Sequence, residues 1–597
     1  MNNQQISDLF KKIAVAYQIK NLPNSRFKVI AYERASEEIK NFPTPLEKMW
    51  KEDRLDEVPG LGSSMISHVK ELFTKGKVSH FEAILREIPQ SMFTLLSVPG
   101  FGPKKAYRLV TYFKLDNPKT VVEDIKVLAE KGKIASLEGF GEKSQKDILD
   151  AIGQFEKGQV KENRILLGLA YELSSNITEY LKKSPLVKKV LALGSLRRMR
   201  ETIGDIDLAV ATEKSDEVIE YFLKYPDQSQ IVEKGKEGAT IRLGNGRQVD
   251  LRVIPPRQWG SMVQYFTGSK AHNIQLRELA LRKGYSLNEY GLTPLKNKKQ
   301  KILEFDTEEK LYKFLGLPRI EPEIREDRGE IEAAIHKAKD QKPGLPQLVK
   351  LSDIKGDLHI HTSFNIETSH DLGSHDILTL LKKADSLGYE YIGISDHNPS
   401  QSKHSEDKIL SIMKIRKAYY EHKKRSNKSI RTQLLIMLEI DIRPNGDLAL
   451  PNQCFEYIDA SIVSVHSEFR MDKEKMTDRV LKGLSHPKAR ILAHPTGRLL
   501  TGRVGFELNW ERIFEFCKKN NKAIEVNASP YRLDLSDIMI RLAVQNGIKL
   551  IINTDSHSKE EMDNMKFGVS QARRGWAQKN DILNTMRYNE FKDWLLY

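Results

Sequence analysis

The sequence predicts a multidomain α/β protein: a helical N-terminal region, then a mixed sheet, then a C-terminal α/β barrel. The first 155 residues or so show helical periodicity interrupted by short glycine turns. Short β-branched runs, typical of strands, begin near Val187. Beyond residue 353, apolar strands that end in His, Asp or Glu alternate with helices. This is the pattern of a parallel barrel whose ligands gather at one mouth.

Composition narrows the class of protein. A chain of 597 residues is too long for one hydrophobic core. Its 96 Lys and Arg against 81 Asp and Glu give a formal charge of +15, which favours a nucleic-acid partner, although a basic solvated surface has the same composition. Cys454 and Cys517 lack CxxC spacing, which excludes a disulfide framework and a zinc–thiolate site. With no apolar run of membrane length and an amphipathic first helix, we expect a cytoplasmic protein with no membrane partner.

Three segments repeat an apolar-x-Gly-apolar-Gly pattern before a helix, beginning at Val58, Val98 and Leu137. Glycine lets the backbone turn with positive φ, and the amides of the next helix then face an anion. The pattern resembles the helix-hairpin-helix motif, which holds DNA phosphates without reading sequence, whereas three ordinary glycine turns are the alternative. The residues expected to contact DNA here are Gly60, Gly62, Gly100, Gly102, Lys104, Gly139 and Gly141.

Two predicted strands carry carboxylates. Asp205 and Asp207 alternate along one strand and therefore share a face, and Asp250 lies on a later strand. Close carboxylates repel each other unless a cation lies between them. Three converging aspartates can hold two Mg²⁺ or Mn²⁺ ions roughly 4 Å apart, which activate a hydroxyl and neutralise a transferring phosphoryl group.

A turn after the strand VLAL offers groups for phosphate. The amides of Gly194 and Ser195 precede a helical run and could hold triphosphate oxygens, with Arg198 as a cationic clamp. A surface loop with scattered charges is the alternative interpretation.

Together the segments GSLRR, GDIDL, VDLR and YFTGSKAHN resemble the palm and nucleotide pocket of family X DNA polymerases. The resemblance implies metal ligation by the three aspartates, with dNTPs and gapped or primed double-stranded DNA as substrates. The other residues that it implicates are Ser195, Arg198 and Gly204 for phosphate contacts, Tyr265, Phe266 and Gly268 for sensing the sugar, Asn273 for the base or minor-groove edge, and Arg252 for support of the aspartates.

The helical N-terminus resembles the small family domain that binds the 5′-phosphate of a gap, with Lys28 as a candidate phosphate contact. Family members that cleave abasic sugar phosphates place a nucleophilic lysine on the helix after the hairpin. Here His68 occupies that position, with Lys70 close by. We therefore expect lyase activity to be weak or absent.

A second set of ligands lies in the C-terminal region. His359 and His361 alternate on one predicted strand, and the other candidates follow later strands that would converge at a barrel mouth. Imidazole and carboxylate ligands suit Mn²⁺, Zn²⁺ or Fe²⁺. The later candidates are His397, Glu439, His466, His494, Asp555 and His557.

DLHIHT, SDH, AHPTGR and NTDSH resemble the PHP (polymerase and histidinol phosphatase) domain, a distorted barrel. The resemblance implies a Mn²⁺-dependent 3′–5′ exonuclease or phosphoesterase, and it points to bacterial family X polymerases with an appended PHP domain. The acid or His that the family places after HxH is altered here. Asp371 is the first candidate, with Glu367, His370 and His375 as alternatives.

These resemblances predict a gap-filling repair polymerase with an exonuclease, with other repair proteins among its expected partners, and divide the chain into six regions. A DNA-binding scaffold with dead sites and a different nucleotidyltransferase fused to a small-molecule phosphatase are the competing hypotheses. The expected regions are a 5′-phosphate-binding domain with the first hairpin at 1–90, two further hairpins at 91–158, a palm at 159–259, a thumb-like domain at 260–325, a linker at 326–352 and the PHP domain at 353–597.

Overall fold

The computed structural model describes residues 1–20, 25–42, 44–58, 60–98, 101–137, 139–156, 164–295, 301–338, 344–427 and 429–596. The chain divides into two compact units. The first comprises residues 1–165, 169–192 and 202–255, and the second comprises 166–168, 193–201 and 256–597.

Regular structure in the described part of the N-terminal region is helical, as the sequence predicts. Leu61 and Phe101, the apolar residues between the paired glycines of the first two hairpins, are buried and anchor those turns. The helices are α1 (Asn3–Lys20), α2 (Ser25–Asn41), α3 (Leu46–Lys51), α4 (Ser63–Lys75), α5 (Ser79–Leu85), α6 (Gln90–Leu95), α7 (Pro103–Phe113), α8 (Val121–Glu130) and α9 (Glu142–Glu156).

The predicted mixed sheet follows in the first unit. Strand order is β2-β4-β7-β6-β5, in which β4 and β7 are parallel and the other pairs are antiparallel. Leu208 and Val210 of β4 are fully buried on one face of the strand, whereas Asp207 on the other face is partly exposed. The elements of this stretch are β1 (Ile165–Leu166), α10 (Leu167–Lys182), β2 (Lys189–Ala192), α11 (Gly194–Arg197), β3 (Thr202–Ile203), β4 (Ile206–Ala211), α12 (Ser215–Phe222), β5 (Gln228–Lys234), β6 (Gly238–Leu243) and β7 (Gln248–Ile254).

Residues 260–325 contain helices, and also a two-stranded hairpin that the sequence did not indicate. The sequence predicts a linker at 326–352, but the structure has a helix within this segment. Ile331, Ala334 and Leu348 join the core that also holds Leu276 and Tyr312, so this segment is packed and not a free tether. The elements here are α13 (Trp259–Thr267), α14 (Lys270–Arg282), β8 (Tyr285–Asn288), β9 (Gly291–Pro294), α15 (Glu308–Phe314) and α16 (Glu330–Ala338).

The C-terminal region is the expected distorted barrel of parallel strands. It consists of a three-stranded sheet, β10-β11-β12, and a five-stranded sheet, β13-β14-β15-β16-β17. Parallel bridges at His397–Glu439 and Ile360–Ser556 join the edges of the two sheets. The elements are β10 (Gly356–Ile360), α17 (Ile377–Ser386), β11 (Tyr391–Ile394), α18 (Glu406–Arg425), β12 (Gln433–Ile436), β13 (Leu438–Asp441), β14 (Ser461–Ser464), α19 (Lys473–Leu484), β15 (Ala489–Leu492), α20 (Trp510–Lys519), β16 (Ala523–Asn527), α21 (Asp537–Gln545), β17 (Leu550–Asn553), α22 (Met565–Arg574) and α23 (Tyr588–Leu596).

In the described part of the chain, no helix is both long enough and apolar enough to cross a membrane.

Candidate active sites and DNA-binding surfaces

Two of the three aspartates of the first unit lie on adjacent parallel strands. Asp207 of β4 stands directly opposite Asp250 of β7 in the sheet register. Asp205 immediately precedes β4 and is exposed, two residues before Asp207. Parallel register places both strand carboxylates at the same level and on the same face, where a cation between them would offset their repulsion.

Two side chains that the sequence did not single out orient Asp250. Thr240 of β6 pairs with Asp250 across the sheet, and its Oγ1 donates to Asp250 Oδ1 at 2.5 Å. Gln248 Nε2 lies 3.3 Å from both carboxylate oxygens. These donors fix one carboxylate rotamer while leaving lone pairs available for a metal ion. In the same unit, Arg252 of β7 is exposed, and Gly204 lies just before Asp205.

The predicted phosphate-binding turn belongs to the second unit. Gly194 begins α11 with a φ of 58°, and Ser195 is partly exposed at the start of the helix. Arg198, just after the helix, donates to the carbonyl of Thr267 and, through Nε, to Glu326 Oε1 at 3.1 Å. The guanidinium is therefore held in one position by two acceptors.

The segment expected to sense the sugar lies beside Arg198. Gly268 has a φ of 69°, and a Cβ placed there would come within 3.1 Å of Arg198 Nη1, so glycine allows the guanidinium to approach. The rings of Tyr265 and Phe266 meet edge to face, with centroids 5.3 Å apart. Asn273 donates from Nδ2 to the carbonyl of Tyr265 at 2.7 Å. The structure thus brings these four predicted residues together with Arg198.

The glycine hairpins have the geometry that anion binding requires. Gly60 and Gly139, the first glycines of their pairs, have φ values of 78° and 80°. Gly62 caps the N-terminus of α4, Gly102 caps α7, and α9 begins directly after Gly141. Exposed Lys104 lies in the first turn of α7. The predicted residue Gly100 lies outside the described residues.

His68 belongs to a polar cluster between helices of the first unit. Its Nδ1 lies 3.2 Å from the hydroxyl of Tyr32, and its ring stacks on His80 with centroids 5.2 Å apart. His80 Nε2 lies 2.7 Å from the hydroxyl of Tyr17, and Lys28 Nζ lies over the Tyr17 ring. Burial, followed by the neighbouring imidazole, lowers the pKa of His68. The position therefore presents a neutral imidazole where a lyase needs an amine.

The second candidate centre lies at the mouth of the barrel. Its members form four overlapping groups, and within each group the ligand atoms lie within 4.8 Å of one another. His494 and Asp555 have φ values of 26° and 55°, an uncommon backbone for these residue types that is typical of functional sites. The four groups are His361, His397 and His557; His370, His397 and His466; His359, His361 and Asp555; and Glu439, His466 and His494.

Glu439, which lies within β13 and not at its end, is the centre of this arrangement. Its Oε2 lies 3.0 Å from His397 Nδ1 and 3.3 Å from His359 Nε2, and its Oε1 lies 2.9 Å from His494 Nε2. Although burial opposes ionisation, the imidazoles of His397 and His359 hold the pKa of Glu439 well below its usual value. A fully buried carboxylate shared by several rings is suited to bridging cations.

Asp371 remains a predicted ligand of the segment that follows HxH. It is exposed and, among the described residues, takes part in none of the four groups, whereas its alternative His370 does. His370 Nε2 lies 2.8 Å from Asp441 Oδ2, and Asp441 also accepts from His466 Nδ1 at 2.7 Å. The segment 361–376 has no regular structure, so strand periodicity could not place its side chains.

Outer carboxylates orient the inner imidazoles, and sequence reasoning missed them. Glu525 of β16 lies 2.8 Å from His359 Nδ1 and accepts from the backbone amide of His494 at 2.6 Å. Such contacts fix the tautomer and leave the opposite ring nitrogen free for a metal. The signal that could have found Glu525 is its place on the strand AIEVN, a buried acid in an apolar run.

Buried polar atoms at the barrel mouth are left without hydrogen-bond partners among the described residues. They include His359 Nε2, both ring nitrogens of His361, and Glu439 Oε2. Burial, followed by the imidazoles of His557 and His397, holds the pKa of His361 well below its usual value. Buried ring nitrogens of this kind, beside a carboxylate that the site keeps ionised, fit a metal centre.

Two arginines after the AHPT segment are engaged elsewhere. Arg498 donates to the carbonyl of Arg532 at 3.0 Å and to Glu201 Oε1 at 2.7 Å. Arg503 lies over the Phe469 ring, 3.9 Å from its centroid.

Comparison with known proteins shows which families the chain is similar to. Four family profiles match: a helix-hairpin-helix domain at residues 1–78, a SAM-like helix-hairpin-helix tandem at 94–154, the DNA polymerase beta thumb at 262–326 and the PHP domain at 357–529. The DNA polymerase/3′-5′ exonuclease PolX of Bacillus subtilis (strain 168) is 31% identical over 597 residues, which covers 100% of this chain and 99% of that protein. DNA polymerase lambda of Arabidopsis thaliana and that of Rattus norvegicus are each 25% identical over 54% of this chain, covering 62% and 56% of their own lengths.

Proposed function

Because the chain belongs to the bacterial family X DNA polymerases that carry a PHP domain, we propose that it fills short gaps in DNA during repair and removes 3′-terminal nucleotides with its barrel. The observation that carries the polymerase assignment is the register of Asp207 opposite Asp250, with Asp205 two residues earlier. The observation that carries the exonuclease is the set of nine ligands at the barrel mouth.

For nucleotide transfer, Asp205, Asp207 and Asp250 would hold two divalent ions, for which we propose Mg²⁺, with Mn²⁺ as a substitute. When bound, such ions activate the primer 3′-hydroxyl and neutralise charge on the transferring phosphoryl group. Thr240 keeps Asp250 in one orientation. Arg198 supplies a positive charge for the triphosphate.

The segment beside Arg198, residues 265–273, would select the nucleotide. We assign sensing of the sugar to Tyr265, Phe266 and Gly268, and contact with the base or minor-groove edge to Asn273, whose rotamer is held by the Tyr265 carbonyl. A fixed rotamer reduces the entropy that substrate binding would otherwise cost.

For exonuclease activity, the nine barrel ligands would hold a cluster of ions, for which we propose Mn²⁺, with Zn²⁺ and Fe²⁺ as alternatives. When bound, such ions generate a hydroxide near neutral pH and stabilise the phosphodiester as it is attacked. Glu525 and Asp441 hold three of the imidazoles in position: His359, His370 and His466. These two carboxylates, as hydrogen-bond acceptors, also set which ring nitrogen faces the cluster.

DNA would be held by amides and cations that do not read sequence. We propose that the glycine hairpins bind backbone phosphates and that Lys28, with the turn at Gly60 and Gly62, receives the 5′-phosphate of a gap. Because His68 cannot form a stable Schiff base, lyase activity is weak or absent. Borohydride trapping on an incised abasic site tests this, with His68→Lys as the variant expected to gain trapping. We further propose that the protein works in the cytoplasm beside other repair proteins.

One assay separates this function from its competitors. The full chain is incubated with a primed, gapped duplex, dNTPs and Mg²⁺ or Mn²⁺, and the primer is followed on a sequencing gel. Template-directed extension is expected. Untemplated addition would favour a different nucleotidyltransferase, and binding without extension or degradation would favour a DNA-binding scaffold.

A further inference from the structure

The loop with the predicted phosphate-binding residues is attached to the barrel. Residues 193–201 belong to the same compact unit as residues 256–597. Both ends of the segment from Arg198 to Glu201 are held by side chains of the PHP region, and each contact is a charge-assisted or amide hydrogen bond.

At the first end of this segment, Arg574 of α22 is the key contact. Its Nη1 donates to the backbone carbonyl of Arg198 at 2.7 Å and to Glu326 Oε1 at 3.1 Å. Its Nη2 donates to Asp537 Oδ2 at 2.6 Å. The Arg574 side chain is only 1% exposed, so these bonds form away from competing water.

Glu326 accepts hydrogen bonds from two cations, and a third, Arg200, lies with its Nη1 3.8 Å from Oε1. The same oxygen, Oε1, that accepts from Arg574 also accepts from Arg198 Nε at 3.1 Å. Arg574 therefore offsets part of the negative charge that would otherwise hold Arg198. Because a carboxylate divided between two guanidinium groups binds each of them less tightly, Arg198 is easier to release toward another anion.

At the second end, Glu201 is anchored by two further PHP residues. Its Oε1 accepts from Arg498 Nη2 and from Gln571 Nε2, both at 2.7 Å. Gln571 lies on α22, one helical turn before Arg574. One face of this helix thus contacts both ends of the segment.

From this geometry we propose that Arg574, a residue of the PHP domain, is a positioning residue for the polymerase: it orients Arg198 for the nucleotide triphosphate and weakens the hold of Glu326 on it. The proposal rests on the function proposed above, in which Arg198 contacts the triphosphate. It gives the PHP domain a role in nucleotide binding that is separate from its own metal centre.

The test measures KM and kcat for dNTP incorporation by the full chain with Arg574→Met. We expect KM to rise about tenfold, which corresponds to ~1.4 kcal/mol, while kcat changes little, because a ground-state contact with nucleotide is weakened. Adding Glu326→Gln in the same chain is expected to restore most of the KM, because it removes the charge that holds Arg198. A merely structural role for Arg574 would not be rescued in this way.

Control variants distinguish a wrong role for Arg574 from a wrong role for Arg198 and from a folding defect. Arg541→Met removes a neighbouring guanidinium that stacks on Trp576 at 3.7 Å, and it is expected to leave KM unchanged. Should Arg574→Met not fold, as judged by thermal unfolding and exonuclease activity, Arg574→Lys is used, with a smaller rise in KM expected. If Arg198→Ala raises KM but the folded Arg574 variant does not, the positioning role is wrong. If Arg198→Ala leaves KM unchanged, the proposed role of Arg198 itself is wrong.

Discussion

At the scale of single residues, Asp250 gives the most specific prediction about catalysis. Asp250→Asn removes one metal-binding charge, so we expect nucleotide incorporation to fall by at least ~10³-fold, since such a ligand contributes several kcal/mol to the transition state. Exonuclease activity of the same preparation should persist, because its ligands belong to the barrel. Thr240→Val, which removes only the hydrogen bond to Asp250, should cost about tenfold. Primer extension and 3′-end degradation are measured side by side, and normal extension by Asp250→Asn would refute the assignment.

Two candidates for the ligand that follows HxH, His370 and Asp371, lead to a paired test. His370→Ala removes a ring that belongs to a ligand group, and we expect Mn²⁺-dependent exonuclease activity to fall about 10- to 100-fold, together with a loss of bound metal. Asp371→Ala alters an exposed neighbour and is the matched control. Metal content by mass spectrometry and degradation of a labelled strand measure both variants. A larger effect in Asp371→Ala than in His370→Ala would favour Asp371 as the metal ligand.

Sequence reasoning could place the residues that lie on regular strands. Asp207 and His359 lie on strands, where alternation determines which face a side chain occupies. His370 lies in an irregular segment, and Thr240 reaches Asp250 only through a cross-strand pairing that depends on the whole sheet register. Contacts of this kind follow from tertiary pairing, which residue spacing along the chain does not encode.

At the scale of elements, the first glycine hairpin allows a comparison within one turn. A Cβ at Gly60 would lie 2.9 Å from Glu38 Cγ in a backbone of positive φ, whereas Gly62 has open space around it. Gly60→Ala should therefore destabilise the N-terminal helices by about 1–2 kcal/mol and weaken binding to gapped DNA. Gly62→Ala should change stability much less. Thermal unfolding and fluorescence anisotropy test the pair, and equal destabilisation by both would contradict the strain argument.

Elements were predicted well where their periodicity was regular. The helices of the N-terminal region and the barrel strands match their apolar patterns, although LLIMLEID forms two short strands, β12 and β13, that belong to different sheets. The segment 326–352 was misread because its charged and Pro/Gly-rich composition resembles a linker. Its few apolar residues are buried by partners distant in sequence, and composition alone does not reveal such partners.

At the scale of the whole molecule, the charge of +15 predicts strongly salt-dependent binding. If hairpin amides and Lys or Arg side chains hold only phosphates, affinity for gapped DNA should fall on the order of 10³-fold between 50 and 200 mM salt and be indifferent to sequence. A 5′-phosphate at the gap should raise the affinity. Titrations over a salt series with phosphorylated and unphosphorylated gaps measure both effects. A flat salt dependence, or a strong preference for one base sequence, would exclude this mode of binding.

The attachment of residues 193–201 to the barrel bears on recombination between relatives. A chimera that takes its polymerase region from one parent and its PHP domain from another, joined near residue 352, keeps the sequence order intact but separates Arg198 and Glu201 from the α22 that evolved with them. A crossover that also transfers Glu326, Arg574 and the loop from the same parent preserves these contacts. We therefore expect residues 193–201 and the barrel residues that contact them to be inherited together, although separate parts of the gene encode them.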